Sequence, residues 1–269
     1  MPRLAPSAYL DHLRRESARF GDVLAACDPA ARVPSCPDWS AADLLAHLAG
    51  VQWFWARVVR HRPDDPDEAA DPRFPEAYDA LLAAYRDASA DLDDALAAAD
   101  PADPAWSWSA ERTVAFTLRR QAHEALVHRL DAELAAGVPH APVDPALAAD
   151  GVDEALAVMF GGAPPFGSFE PRGGTVAVVC RDTGDEVRVQ PGWFTGTHPE
   201  PGPDGEARVL DGDDLRVVPA DGAPAATVTA TAAELDAWLW RRSPGDGVVV
   251  EGDPEAYAAF RRAVDHPID

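Results

Sequence analysis

The segment from Arg112 to Ala136 reads RTVAFTLRRQAHEALVHRLDAELAA and predicts one long helix. Glu124 and His128 lie four residues apart in it and therefore project from the same face. Gln121 and Asp131 extend this polar face in both directions. A surface helix usually turns such a face to water. The alternative is a ligand-binding face that a second element of the chain completes.

Three further segments show the apolar periodicity of amphipathic helices, so the first half of the chain predicts a four-helix bundle. We expect these helices at residues 7–27, at residues 41–60 and from Pro75 through Leu96. Ser40 followed by Asp43 resembles a capping box and marks the start of the second helix.

His47 lies in register with the apolar residues of the second helix and so points inward. A lone histidine on an apolar face is more often a core residue than a ligand. Bundles, however, place metal sites in their core with side chains from facing helices. His47, Glu124 and His128 together would be a two-histidine, one-carboxylate ligand set. Catalytic zinc sites use this set with an open fourth position, and iron(II) and nickel also accept it.

The zinc-protease motif His-Glu-x-x-His does not match, because His123 and His128 are five residues apart, about 140° around a helix. We interpret His123 as a flanking residue and Asp131 as a supporting partner of His128. Asp43 is expected to cap its helix. The remaining histidines lie in exposed or loop contexts and are expected to be solvated: His12, His61, His140, His198 and His266.

The composition changes after residue 140. The sequence predicts a helix over residues 144–159, a linker or active-site loop over residues 161–167, and helices after Thr231 and from Pro254. Strands are expected at residues 175–180, 186–190, 215–218, 226–230 and 247–251. The predicted fold class is therefore mixed, α with α/β: a four-helix bundle followed by a smaller α+β domain with an antiparallel sheet.

Composition restricts the function. The 269 residues carry 23 Lys and Arg against 46 Asp and Glu, and this net charge of −23 opposes binding to nucleic acid and anionic membranes. Apolar runs fall short of the roughly 18 residues of a membrane span, and the N-terminus lacks the apolar core of a signal peptide. We expect a cytoplasmic protein, either a monomer or a homodimer.

The cysteines do not indicate a disulfide framework or a cysteine-based zinc site. There are only three, Cys27, Cys36 and Cys180, and they are widely separated in the sequence.

Two motifs carry a resemblance to a known family. Residues 35–48, SCPDWSAADLLAHL, and residues 122–133, AHEALVHRLDAE, resemble the mycothiol-dependent maleylpyruvate isomerase family. The resemblance covers almost the whole chain. It implies a DinB-like four-helix metal-binding domain at residues 1–140 and a sterol-carrier-like C-terminal domain at residues 141–269.

Carried over residue by residue, the family's metal ligands fall on His47, Glu124 and His128, and the metal is usually zinc. The segment WLWRR, which ends at Arg242, resembles the family's Leu-Trp-Gly-Arg segment, with Arg241 in place of Gly. An anionic substrate needs a local cation. The resemblance therefore implies that Arg242 is a catalytic residue that pairs with a substrate carboxylate.

The resemblance further implies an enzyme, an isomerase or S-transferase, that uses mycothiol on a small electrophilic substrate. The metal would ionise the thiol and so supply the thiolate. The thiolate is the nucleophile, and the thiol is not. Addition to an activated double bond lets that bond rotate, and elimination returns the trans isomer. Two alternatives remain open: a metal-dependent hydrolase that uses metal-bound water, and a non-catalytic protein that binds a metal or ligand.

Overall fold

The computed structural model describes residues 3–62, 72–161, 164, 166–202 and 204–265. The chain divides into two compact units, Leu4–Pro142 and a second made mainly of Val143–Asp269. The first unit is helical and the second combines helices with a sheet, which confirms the predicted fold class. Within the described residues, no helix is long and apolar enough to cross a membrane.

The first unit contains four long helices: α1 (Pro6–Ala25), α2 (Ala41–His61), α3 (Tyr78–Ala98) and α4 (Val114–Ala136). α1 packs on α3 and α4, and α2 packs on the same two helices. Each helix thus has two neighbours, as in a four-helix bundle. A short hairpin of β1 (Arg32–Val33) and β2 (Cys36–Ser40) lies between α1 and α2 and also contacts α4 through β1.

The helix ends follow local capping chemistry. The Ser40 side chain accepts a hydrogen bond from the backbone N–H of Asp43, and the Asp43 carboxylate accepts one from the N–H of Ser40 at 2.8 Å. The predicted capping box is therefore present. α4 ends at Gly137, whose φ of +65° is left-handed and suits glycine. α3 begins at Tyr78 and not at Pro75, because the backbone of Ala77 is extended, with φ −71° and ψ 124°. The Tyr78 hydroxyl donates a hydrogen bond to the Leu24 carbonyl of α1 at 2.9 Å.

The second unit is built on six strands: β3 (Gly167–Pro171), β4 (Val176–Cys180), β5 (Glu186–Thr197), β6 (Val209–Val217), β7 (Ala226–Ala230) and β8 (Val249–Gly252). Its helices are α5 (Pro145–Glu154), which continues as a π-helical turn at Ala155–Met159, α6 (Ala232–Leu239) and α7 (Pro254–Val264). α5 packs on α6, and α7 packs on β5 and β6.

The long strand β5 organises the sheet. One of its edges pairs with β6, and the other pairs with β4 and then β3 along its length. β4 pairs in turn with β7, and β7 pairs with β8. Every pairing is antiparallel except that of β4 with β7. A parallel pair needs a long crossover between its strands, and the chain segment containing β5 and β6 provides it.

β3 begins at the end of the segment that the sequence predicts as a loop, and no strand was expected there. A Cβ at Gly167 would lie 2.2 Å from the ring of Phe194, so this position accepts glycine alone. A strand that begins with glycine and ends with proline lacks the alternation that identifies strands in a sequence. β5 and β6 are longer than predicted for the same reason, because Pro191, Gly192 and Gly212 interrupt their patterns.

A network of buried ion pairs joins α4 to α1. Nε of the fully buried Arg129 lies 2.9 Å from a carboxylate oxygen of Glu16, and its Nη1 lies 2.8 Å from Glu133. Glu133 also accepts hydrogen bonds from Arg19 at 3.0 Å and from the backbone N–H of Ala141 at 3.2 Å. Since an unpaired buried charge is costly, the network fixes which face of α4 meets α1. It thereby sets the direction of the polar face on the same helix.

Substitution of Arg129 by methionine tests this network. Arg129→Met leaves the carboxylates of Glu16 and Glu133 buried without their shared cation, and breaking a buried pair costs about 3–5 kcal/mol. Urea denaturation should show a loss of that size in the free energy of unfolding. The control is Arg14→Met, which removes a partly exposed pair with Asp93 and should cost at most about 1 kcal/mol. Equal losses in the two variants would contradict the role assigned to the network.

Candidate metal centre

His47 of α2 meets Glu124 and His128 of α4. Nε2 of His128 lies 3.1 Å from Oε1 of Glu124, and Nε2 of His47 lies 3.6 Å from the same oxygen. One donor atom from each residue lies within 4.8 Å of the others. The structure thus brings together the three side chains that the sequence predicts as metal ligands.

Two of the three separations between these atoms fit a divalent metal. A tetrahedral shell with Zn–N and Zn–O bonds of about 2.0–2.1 Å places its ligand atoms about 3.3 Å apart. The distances from Glu124 Oε1 to the two histidines, 3.1 and 3.6 Å, lie on either side of that value, and the two histidine nitrogens lie within 4.8 Å of each other. Two imidazoles and one carboxylate leave a fourth position for water or substrate, as in catalytic zinc sites. The donor set does not distinguish zinc from iron(II) or nickel.

Asp131 orients the ring of His128. Its Oδ2 lies 2.9 Å from Nδ1 of His128, and the Asp131 side chain is fully buried. An ionised carboxylate only accepts hydrogen bonds, so Nδ1 of His128 carries a proton, and Nε2 is the nitrogen that would present a lone pair to a metal after losing its own proton. Ser35, between β1 and β2, donates a hydrogen bond to Oδ1 of Asp131. Sequence reasoning missed Ser35, although it is the first residue of the motif SCPDWSAADLLAHL.

Two further neighbours of the triad were not predicted. Nη2 of the buried Arg120 lies 2.8 Å from Oε2 of Glu124, and their spacing of four residues was the available signal. The ring centroid of Trp39 lies 4.7 Å from that of His47 and 6.3 Å from that of His128. The His47 side chain is 34% exposed and that of His128 only 8%, so solvent reaches the triad from the side of His47.

Charge outweighs burial in setting the pKa of both α4 residues. Burial alone would raise the pKa of Glu124, but His128, a hydrogen bond from His47 and the charge of Arg120 hold it well below its usual range. Burial alone would lower the pKa of His128, but Glu124 and Asp131 raise it to about 9. Without a metal, Glu124 and His128 therefore form a carboxylate–imidazolium pair at neutral pH.

The other histidines that the structure describes lie outside the triad. His123 is buried with its ring against that of Tyr9, at 6.3 Å between centroids. His12 was expected to be solvated, and this was wrong: it is 7% exposed, because α1 packs on both α3 and α4 and buries a broad face. For the rest, His61 and His140 are exposed, His198 is half-buried, and His266 lies outside the described residues.

Arg242, the predicted catalytic residue, lies in the second unit just after α6. Its Nη1 donates a hydrogen bond to the carbonyl of Trp240 at 2.6 Å, and the residue is half-buried. The preceding Arg241 has a φ of +60°, in the left-handed region that favours glycine. The resembling family segment has Gly at this position, so the backbone supports the alignment of Arg242 with the Arg of that segment. The role of Arg242 towards a substrate stays a prediction.

Comparison with known proteins agrees with the resemblance. Residues 10–133 match the model described as "Mycothiol maleylpyruvate isomerase N-terminal domain", and residues 146–259 match the "MDMPI C-terminal domain". No match is found among curated protein sequences.

Two solved structures share the fold. The crystal structure of the mycothiol-dependent maleylpyruvate isomerase has a TM-score of 0.59 and 14% identity, and the match covers 93% of this chain and 96% of that chain. A histidine-to-alanine mutant of that isomerase has a TM-score of 0.60 and 15% identity, with the same coverage. With both family models matched in order along the sequence, the chain belongs to the mycothiol-dependent maleylpyruvate isomerase family, a family of isomerase enzymes.

Proposed function

We propose that this protein is a metal-dependent enzyme that uses a low-molecular-weight thiol, mycothiol, to isomerise a small electrophilic substrate with a carboxylate, such as maleylpyruvate. The observation that carries the proposal is the convergence of His47, Glu124 and His128 on one point that solvent reaches. Membership of a family named for this reaction supports the choice of thiol and substrate.

The triad supplies the donors for a divalent metal, and zinc is our choice because two histidines and a carboxylate are a common catalytic zinc set. A metal bound there would lower the pKa of a thiol, so that the nucleophilic thiolate is available near neutral pH. Asp131 holds a proton at Nδ1 of His128 and so keeps Nε2 directed at the ligand position. Arg120 offsets the charge of Glu124, which favours an anionic thiolate beside it.

The reaction balances without any further reactant. The thiolate sulfur forms a bond to one carbon of the double bond, and the displaced electron pair moves onto the conjugated carbonyl as an enolate. The resulting single bond rotates. Return of the electron pair re-forms the double bond and expels the thiolate, so no thiol is consumed. If the adduct is protonated and released instead, the same addition gives an S-transferase.

Arg242 is the proposed partner of the substrate carboxylate, because a guanidinium binds a carboxylate through two parallel hydrogen bonds. We also propose that residues 1–140 are a DinB-like metal-binding domain and residues 141–269 a sterol-carrier-like domain. The helical first unit and the sheet-containing second unit support this division.

Metal analysis of purified variants tests the ligand set. His47→Ala and Glu124→Ala each remove one of three protein ligands and should lose most of the bound metal. His61→Ala is a matched control, since His61 is an exposed histidine on the same helix as His47. It should retain the metal content of the unaltered protein. If both ligand variants retained all of their metal, the proposed metal site would be contradicted.

The pH dependence of metal binding gives a second test. His128 has a pKa of about 9 in the metal-free protein, so metal must displace a proton at pH 7. Calorimetry should show proton release on binding, and metal affinity should rise between pH 6.5 and 9. Over the same pH range the stability of the metal-free protein should fall. The raised pKa stabilises the fold below the ordinary value of 6.5, and this contribution is lost as the pH rises through about 9. An affinity that is flat over this range would contradict the assignment.

A maleylpyruvate assay tests the reaction itself. The metal-loaded protein should isomerise maleylpyruvate with mycothiol present and should be inactive without it. Glu124→Ala should lose this activity and His61→Ala should keep it. Turnover without any thiol would favour a hydrolase. Tight binding of substrate with no turnover under either condition would favour a binding protein.

A further inference from the structure

The polar face of α4 continues beyond the metal ligands. Thr117, Gln121, Glu124 and His128 follow one another at intervals of four, three and four residues and therefore share one face of the helix. Gln121 precedes Glu124 by about 4.5 Å along the helix axis, and Thr117 by about 10.5 Å. A molecule with its reactive atom at the triad and its remainder along α4 would lie beside both side chains.

These two side chains have polar atoms that nothing in the described part of the chain satisfies. Gln121 is 1% exposed, and neither its amide nitrogen nor its amide oxygen has a hydrogen-bond partner among the described residues. Thr117 is fully buried, and no described residue pairs with its hydroxyl. Buried polar groups in folded proteins are almost always hydrogen-bonded, and each exception requires an explanation. Here two of the exceptions are four residues apart on one face of α4, about one turn and two turns before Glu124.

Another buried glutamine of the bundle provides a contrast. Gln52 of α2 is fully buried, and its amide nitrogen donates a hydrogen bond to the hydroxyl of Ser17 at 2.8 Å, although its amide oxygen has no partner in the described ranges of the chain. Gln52 therefore has a structural bond between two helices. Gln121 has no such bond to any of the described residues.

The hydrogen-bonding groups of Gln121 and Thr117 indicate what kind of ligand they would bind. An amide side chain offers one acceptor and two donor hydrogens, and a hydroxyl offers both functions. Their complement is a neutral group that also donates and accepts, such as an amide or a sugar hydroxyl. A carboxylate only accepts hydrogen bonds and would leave the Gln121 oxygen unsatisfied. Mycothiol is an acylated cysteine linked to a sugar, and so it carries amides and hydroxyls near its sulfur.

We propose that Gln121 and Thr117 form a subsite that binds the amide and hydroxyl groups of the thiol, while the triad defines the position of its sulfur. The inference rests on the proposed function, because it takes the thiol as the cosubstrate. It assigns Gln121 to thiol binding and not to metal binding or to recognition of the substrate carboxylate.

The test compares Gln121→Met with Gln52→Met, which are substitutions of similar volume that each remove one buried amide. The melting temperature of the metal-loaded proteins is measured with and without mycothiol, together with metal content and the KM values for mycothiol and maleylpyruvate. Gln121→Met should retain its metal and should melt at or above the temperature of the unaltered protein without thiol. Its KM for mycothiol and the mycothiol concentration needed for stabilisation should rise about tenfold, while the KM for maleylpyruvate changes little.

The control behaves differently if the inference holds. Gln52→Met should melt earlier, since it leaves Ser17 without its partner, and should respond to mycothiol as the unaltered protein does. An unchanged mycothiol response in Gln121→Met would overturn the subsite, as would an increase in the KM for maleylpyruvate alone. A loss of stability without thiol as large as that of Gln52→Met would show a structural role and would also overturn it. If the unaltered protein itself gains no stability from mycothiol, the proposed function fails and this inference fails with it.

Discussion

Helix α4 is enclosed by its neighbours, and half of its buried side chains are polar or charged. Each of these groups loses its contact with water and needs a partner inside the protein. The buried Arg129 pairs with Glu16 on α1, and the half-buried Glu124 pairs with His47 on α2. The position of α4 is therefore fixed by specific polar pairings on two sides and not by apolar packing alone. The candidate metal centre lies where these polar pairs are made by His47, Glu124 and His128, whose side chains are also good metal ligands.

Much of this arrangement was predictable because it depends on spacing within single helices. The four-residue separation of Glu124 and His128 puts both on one face whatever surrounds the helix. His47 could be joined to them because it shares the register of its helix's apolar stripe. The Ser40–Asp43 capping box is likewise local. Groups that reach the site across sequence were harder to find. Ser35 contacts Asp131 through the β1–β2 hairpin, and no periodic pattern predicts such a contact.

The features that were predicted wrongly or missed also depend on how separate elements pack together. His12 is buried because its helix has two neighbours, and the width of a buried face depends on tertiary packing that a single-helix pattern does not contain. β3 was not predicted because close packing against Phe194 requires glycine at position 167, which weakens the strand signal. The parallel pairing of β4 with β7 depends on the order of strands in the sheet, and local alternation carries no information about that order. Arg241 shows the converse case: it stands where the resembling family segment has glycine, and its backbone is in the left-handed region that favours glycine.

X-ray absorption spectroscopy of the purified, metal-loaded protein, at the edge of its metal, identifies the metal's ligands directly. We expect a first shell of nitrogen and oxygen with the scattering pattern of two imidazole rings, from His47 and His128, and one carboxylate, from Glu124. The three cysteines should contribute no sulfur to that shell. A shell with sulfur in the absence of added thiol, or with fewer than two imidazoles, would contradict the proposed site.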